Sequence, residues 1–130
     1  MSIFGQAAVS AVDRCRADTA LCPIDAWVAA VRAETDKPSP PNKNCPKKAF
    51  LGLIQAGAVV GIAAARHPRT TENGRRAVRA LEILRAGESP RTIVGLWRKV
   101  APSDTHHDGQ MNVVLALWDA GYLEGSRRAR

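Results

Sequence analysis

What this chain has little of narrows its class before any motif is sought. Aromatic residues make up 5% of the 130 positions, as three Trp, two Phe and one Tyr. That leaves no array of rings on which successive bases of a single strand would stack. Trp27, Trp97 and Trp118 each fall inside an apolar helical stripe and read as core. The three cysteines, Cys15, Cys22 and Cys45, are an odd number in a chain long enough to bury a core without bridges, so they read as free thiols. No run of about 18 apolar residues exists to span a bilayer. The opening Met1-Ser2-Ile3-Phe4-Gly5-Gln6 lacks the cationic and apolar regions of a signal peptide. The expectation is a cytoplasmic protein with no membrane partner.

The common chemical signatures are missing as well. There is no glycine-rich phosphate loop, Gly-x-Ser-x-Gly elbow or His-Glu-x-x-His run. No Cys-x-x-Cys pair occurs, and adjacent His106-His107 is not the i, i+4 pair that a helical metal site uses. No metal or cofactor is expected.

What is present is helical periodicity. Val9, Val12 and Cys15 predict a helix from Ser2 to about Ala17 whose small residues favour close packing. Pro23 suits the first turn of a second helix, with Ala26, Trp27, Ala30 and Val31 as its stripe and a stop near Thr35. Pro38, Pro40 and Pro41 then make 37–44 an exposed connector. A third helix opens at Cys45-Pro46, with Cys45 at its cap. A turn at His67 to Gly74 precedes a fourth, with Ala77, Val78, Ala80, Leu81 and Leu84 as its stripe. Ser89-Pro90 reads as the cap of a fifth ending near Val100. A loop through Gly109 leads to the sixth, where Met111, Val114, Leu115 and Trp118 recur at i, i+3, i+4 and i+7. The reading is all-α, six helices in an orthogonal or bundle-like domain over residues 1–125. A basic tail at 126–130, without an apolar anchor, is expected to be mobile.

Leu51 to Ile62 aligns with Leu115 to Ser126, sharing Leu, Leu, Ala, Gly and Gly. Ala56-Gly57 and Ala120-Gly121, each followed by an apolar residue, match glycine-capped helix ends. The match is read as that local device, in preference to a duplicated module. Cys45-Pro-Lys-Lys-Ala-Phe-Leu-Gly-Leu53, Gly57-Ala-Val-Val-Gly-Ile62 and the run Asp108 to Leu123 together resemble a family of uncharacterised small bacterial and phage-encoded helical proteins. The resemblance implies a compact fold from Cys45 onward and brings no activity or site residue.

Charge is concentrated. The stretch Arg66 to Lys99 carries nine Arg or Lys against three Glu, whereas 100–124 carries four carboxylates and no Arg or Lys. Net charge is +7. Arg75, Arg76 and Arg79 are expected on the outward side of the fourth helix, with Arg91, Arg98 and Lys99 on the next and Arg69 in the preceding loop. Guanidinium groups suit phosphate and carboxylate oxygens. This predicts a non-enzymatic binding module for a polyanionic surface, either a nucleic-acid backbone or an acidic protein patch. Sequence-specific reading of DNA by a helix-turn-helix is not expected, because the loop before the last helix is long and that helix is mainly apolar.

Two alternatives remain. The first is an adaptor or inhibitor acting through protein contacts alone. The second is a cysteine-dependent enzyme, in which Cys45 would be activated at a helix N-terminus beside Lys47 and Lys48. His106, His107 or His67 would be its base, oriented by Asp108 or Gln110.

Overall fold

The computed structural model describes residues 3–37, 43–63, 71–88, 91–103 and 107–125. Among them six helices form: α1 (Ile3–Ala17), α2 (Pro23–Glu34), α3 (Asn44–Gln55), α4 (Glu72–Arg85), α5 (Ile93–Val100) and α6 (Gln110–Asp119). One hydrophobic core draws on all six, with Trp27, Phe50, Leu81, Leu96 and Leu117 fully buried. No helix of the described residues is long and apolar enough to cross a membrane. The tail at 126–130 and Pro38, Pro40 and Pro41 of the connector lie outside the described residues.

Three helix starts differ from the sequence reading. Thr71 caps α4, its hydroxyl accepting the N–H of Gly74 at 3.0 Å, so Asn73-Gly74 is first-turn helix instead of turn. Thr92 caps α5 in the same way through the N–H of Gly95, one turn later than the expected Ser89-Pro90, which lie outside the described residues. Helix α3 begins at Asn44 with Lys43 as its cap, so Cys45 sits inside the first turn and the connector ends a residue early.

The helix ends obey glycine chemistry. At Gly57 (φ 71°) and Gly121 (φ 78°) the chain turns left-handed, and the N–H groups of Ala58 and Tyr122 reach back to the carbonyls of Leu53 and Leu117. This local device accounts for both helix ends of the aligned segments. It does not account for the residues beyond each turn, where the two segments pair with each other. Val59 and Leu123, equivalent residues of the alignment, form an antiparallel bridge. Its two hydrogen bonds, Val60 N–H to Tyr122 carbonyl and Glu124 N–H to Ala58 carbonyl, exchange under the same equivalence.

The correspondence extends to a pseudo-two-fold relation between α1–α3 and α4–α6, broken where α4 packs on α6 without a comparable contact of α1 on α3. Buried Gly5, Ala8, Ala11, Val12 and Cys15 of α1 match buried Gly74, Ala77, Ala80, Leu81 and Leu84 of α4. Arg16 lies against Gly61 and Arg85 against Gly125, and both glycines are left-handed. Ile24 and Val94, each the second residue of its helix, are the large apolar side chains left exposed among the described residues. The halves interlock: α1 packs on α2 and α6, and α4 packs on α5 and α3. The match between Leu51–Ile62 and Leu115–Ser126 is therefore more than a shared capping device.

At the centre of the α3–α4 contact, Gly52 faces Gly74 backbone to backbone. A Cβ on Gly52 would stand 2.3 Å from the Gly74 Cα. Gly52→Ala is expected to cost about 3 kcal/mol, the upper end of overpacking effects. Gly87→Ala, at φ 74° with nothing within 4 Å of the added methyl, should cost only about 1 kcal/mol through backbone strain. Urea unfolding midpoints at unchanged slope would measure both.

Candidate anion-binding surface

The seven cations expected to form one face separate into different environments. Arg75 and Arg79, one turn apart on α4, are both exposed. Arg76 departs from the expectation: its side chain is only 18% exposed, pairs with Glu72 at 3.3 Å and lies over the Trp97 ring at 5.1 Å. It is turned inward because Trp97 of α5 offers a desolvated aromatic face and Glu72 lies one turn back. Lys99 is paired with Glu88 at 3.1 Å. Arg91 is exposed just ahead of α5, and Arg98 lines a separate cleft with Val94, Trp97 and His107. Arg69 lies outside the described residues.

Arg75 and Arg79 stand between two clefts and line both. On the α3 side, a cleft of about 630 Å³ is lined by small apolar Gly52, Ala56 and Val78, with Gln55 and Glu82 beside the arginines. On the α5 side, one of about 390 Å³ is bounded by Glu72 and the Val100–Ser103 segment. The sequence pattern foresaw the two arginines but not the clefts, which only the packing of α4 between α3 and α5 brings about.

The α3–α4 cleft has a pseudo-symmetric twin of about 520 Å³ between α6 and α1. Its lining corresponds position by position: Ala116, Asp119 and Ala120 stand where Gly52, Gln55 and Ala56 do, and Gln6, Val9, Ser10 and Asp13 where Arg75, Val78, Arg79 and Glu82 do. The apolar lining is retained and the charge is reversed. Two arginines and one glutamate line the first cleft, and two aspartates line the second.

The Cys45 constellation assembles only in part. Lys43, the cap of α3, pairs with Asp108 at 3.1 Å, and Pro46 lies against Gly109, so the α3 N-terminus does meet the His107–Gly109 loop. The His107 ring is committed elsewhere. Its Nε2 accepts the N–H of Met111 at 2.9 Å and its edge meets Trp97 at 5.1 Å. Gln110, expected as an orienting group, is buried: its Oε1 accepts the N–H of Asp108 at 2.7 Å and its Nε2 donates to Asn73 Oδ1 at 2.9 Å. It ties α6 to the first turn of α4, a role that only tertiary structure reveals. His106 and His67 lie outside the described residues. Among the described residues, no group of three or more His, Cys, Asp or Glu is placed to hold a metal ion.

Thiol accessibility runs from exposed Cys22 through half-buried Cys45 to buried Cys15, whose pKa is pushed up by burial and by nearby Cys22. Iodoacetamide should therefore label Cys22 first and Cys15 last, whereas a catalytic Cys45 would label ahead of Cys22. Burial pushes the His107 pKa below its ordinary 6.5, against a smaller upward pull from Asp108. The folded state thus disfavours the proton, and the stability contributed by the neutral ring is complete above the unfolded-state value and lost as pH falls through the folded-state one. Wild type should lose stability below about pH 6.5 relative to His107→Gln, read from unfolding midpoints across pH.

No curated protein and no solved structure matches this chain. Residues 1–124 match DUF6979, a family of unknown function, and the chain belongs to that family.

Proposed function

Within this family of unknown function, we propose that the chain is a small binding module without catalytic chemistry, docking Arg75 and Arg79 on a polyanionic surface. That surface is a nucleic-acid backbone or an acidic patch of a partner protein, met in the cytoplasm. The observation that carries the reading is the ridge itself: two exposed guanidinium groups one turn apart, each lining the clefts on both sides of α4. Helical rise sets them about 6 Å apart along the axis, a spacing over which both can engage one anionic chain or surface. The interactions are with oxygen anions, which guanidinium forks hold with directional charge-assisted hydrogen bonds. A cysteine-dependent reaction has less support, because the described histidine serves Met111 and Trp97.

Binding of fluorescent DNA duplex, single strand and poly-glutamate across a salt series tests this reading. The expected result is affinity that falls steeply with salt. For the duplex, Arg75→Glu with Arg79→Glu should weaken binding at least tenfold and make the log–log salt slope shallower by about two. Binding unchanged in the double variant, or no binding of any polyanion at low salt, would overturn it.

A further inference from the structure

We infer that the α3–α4 cleft is the seat of an acidic amphipathic helix belonging to a partner protein. The inference rests on the arginine ridge of the proposed function and names what the ridge receives. Three features of the cleft select a helix of this kind over a nucleic-acid backbone.

The first is its apolar component. Gly52, Ala56 and Val78 contribute small apolar surface to the lining between the two helices, alongside the two arginines. Phosphodiester has no apolar group to place there, whereas an amphipathic helix lays apolar side chains into such a groove and keeps its charges at the rim. The second is the order of charge along α4. Arg75 and Arg79 are succeeded one turn on by Glu82 in the same cleft, and Glu72 bounds the cleft on the other side of the ridge. A uniform phosphate array would meet both carboxylates as repulsion. A peptide can set two carboxylates at i and i+4 against the arginines and a neutral or basic residue against Glu82.

The third is the twin cleft. The α6–α1 groove keeps the apolar lining through Val9, Ala116 and Ala120 but carries Asp13 and Asp119 in place of guanidinium groups. The fold therefore holds a groove of this shape with either sign of charge, so the arginines in the α3–α4 cleft are not demanded by packing. Trp27 and Trp97 are buried in the core and Trp118 is partly buried against it, and none of the three lines this cleft.

The probe is a capped synthetic helix with Leu along one stripe, Glu flanking it at i and i+4, and Lys one turn beyond. Three comparisons accompany it: the same peptide with the Leu stripe changed to Ser, poly-glutamate of equal charge, and a DNA duplex. Fluorescence anisotropy is read on wild type, on Arg75→Gln with Arg79→Gln, and on Val78→Asn. Circular dichroism melts confirm that each variant is folded. The expected result is binding of the Leu–Glu helix at least tenfold tighter than of the Ser-stripe peptide or poly-glutamate. The arginine pair should be required, and Val78→Asn should weaken the helix more than fivefold while leaving DNA binding unchanged. If DNA or poly-glutamate binds as tightly as the helix and Val78→Asn affects none of them, the polyanion reading stands and the amphipathic-helix inference falls. If no probe binds at low salt, both fall.

Discussion

The contact on which the rest of this structure depends has no side chains in it. Gly52 and Gly74 let the backbones of α3 and α4 touch, an approach that a Cβ on Gly52 would forbid. It brings Gly52 into the lining of the cleft beside Arg75, the residue after Gly74. Arg76, the next residue, lies inward against Glu72 and Trp97. Thr71 fixes where α4 begins by taking the N–H of the same Gly74, so one residue is both first-turn donor and contact surface. From the other side, Gln110 holds Asn73 and joins the first turns of α4 and α6.

The pseudo-two-fold relation separates what the scaffold requires from what it merely carries. Positions that pack keep their character in both halves: Gly5 and Gly74, Ala8 and Ala77, Ala11 and Ala80 are buried in each. Polar positions lining the clefts do not, since Arg75 and Arg79 replace Gln6 and Ser10 with no change at Val9 and Val78. Exposed substitutions of this kind cost little stability. Charge at these positions is free to suit a partner while the core stays as it is.

Much of the fold was legible because periodicity and glycine stops are local signals. All six helices form, and the stop at Thr35 and the glycine-capped ends at Gly57 and Gly121 lie where the pattern puts them, whereas three of the starts do not. The errors arose where a residue type has two uses. Asn73-Gly74 has the composition of a turn, but Thr71 caps the chain just ahead of it and makes it first-turn helix. Ser89-Pro90 reads as a cap, but Thr92 stands nearer the apolar stripe and takes that role. Arg76 is spaced with Arg75 and Arg79 in sequence, yet lies 100° round the helix from Arg75, where Trp97 meets it. The two-fold relation stayed hidden because its equivalent positions are mostly small residues, and small residues resemble one another in any helix. The arginines were legible as charge; the groove beside them was not, since no sequence period records that two backbones touch.

The interlocking of the halves bears on the order in which the protein can be made. Helix α1 rests against α6, at the opposite end of the chain, and α3 waits for α4. A nascent chain that has emerged only through α3 has α2 to cover part of α1, but nothing yet for the surface that α6 will bury. Neither half completes its core from its own helices alone, and α6 covers α1 only after the intervening helices have been made. Such long-range pairing slows folding and leaves apolar surface open to chaperones during synthesis. The bridge between Val59 and Leu123 then acts as a latch that shuts only when both halves are present.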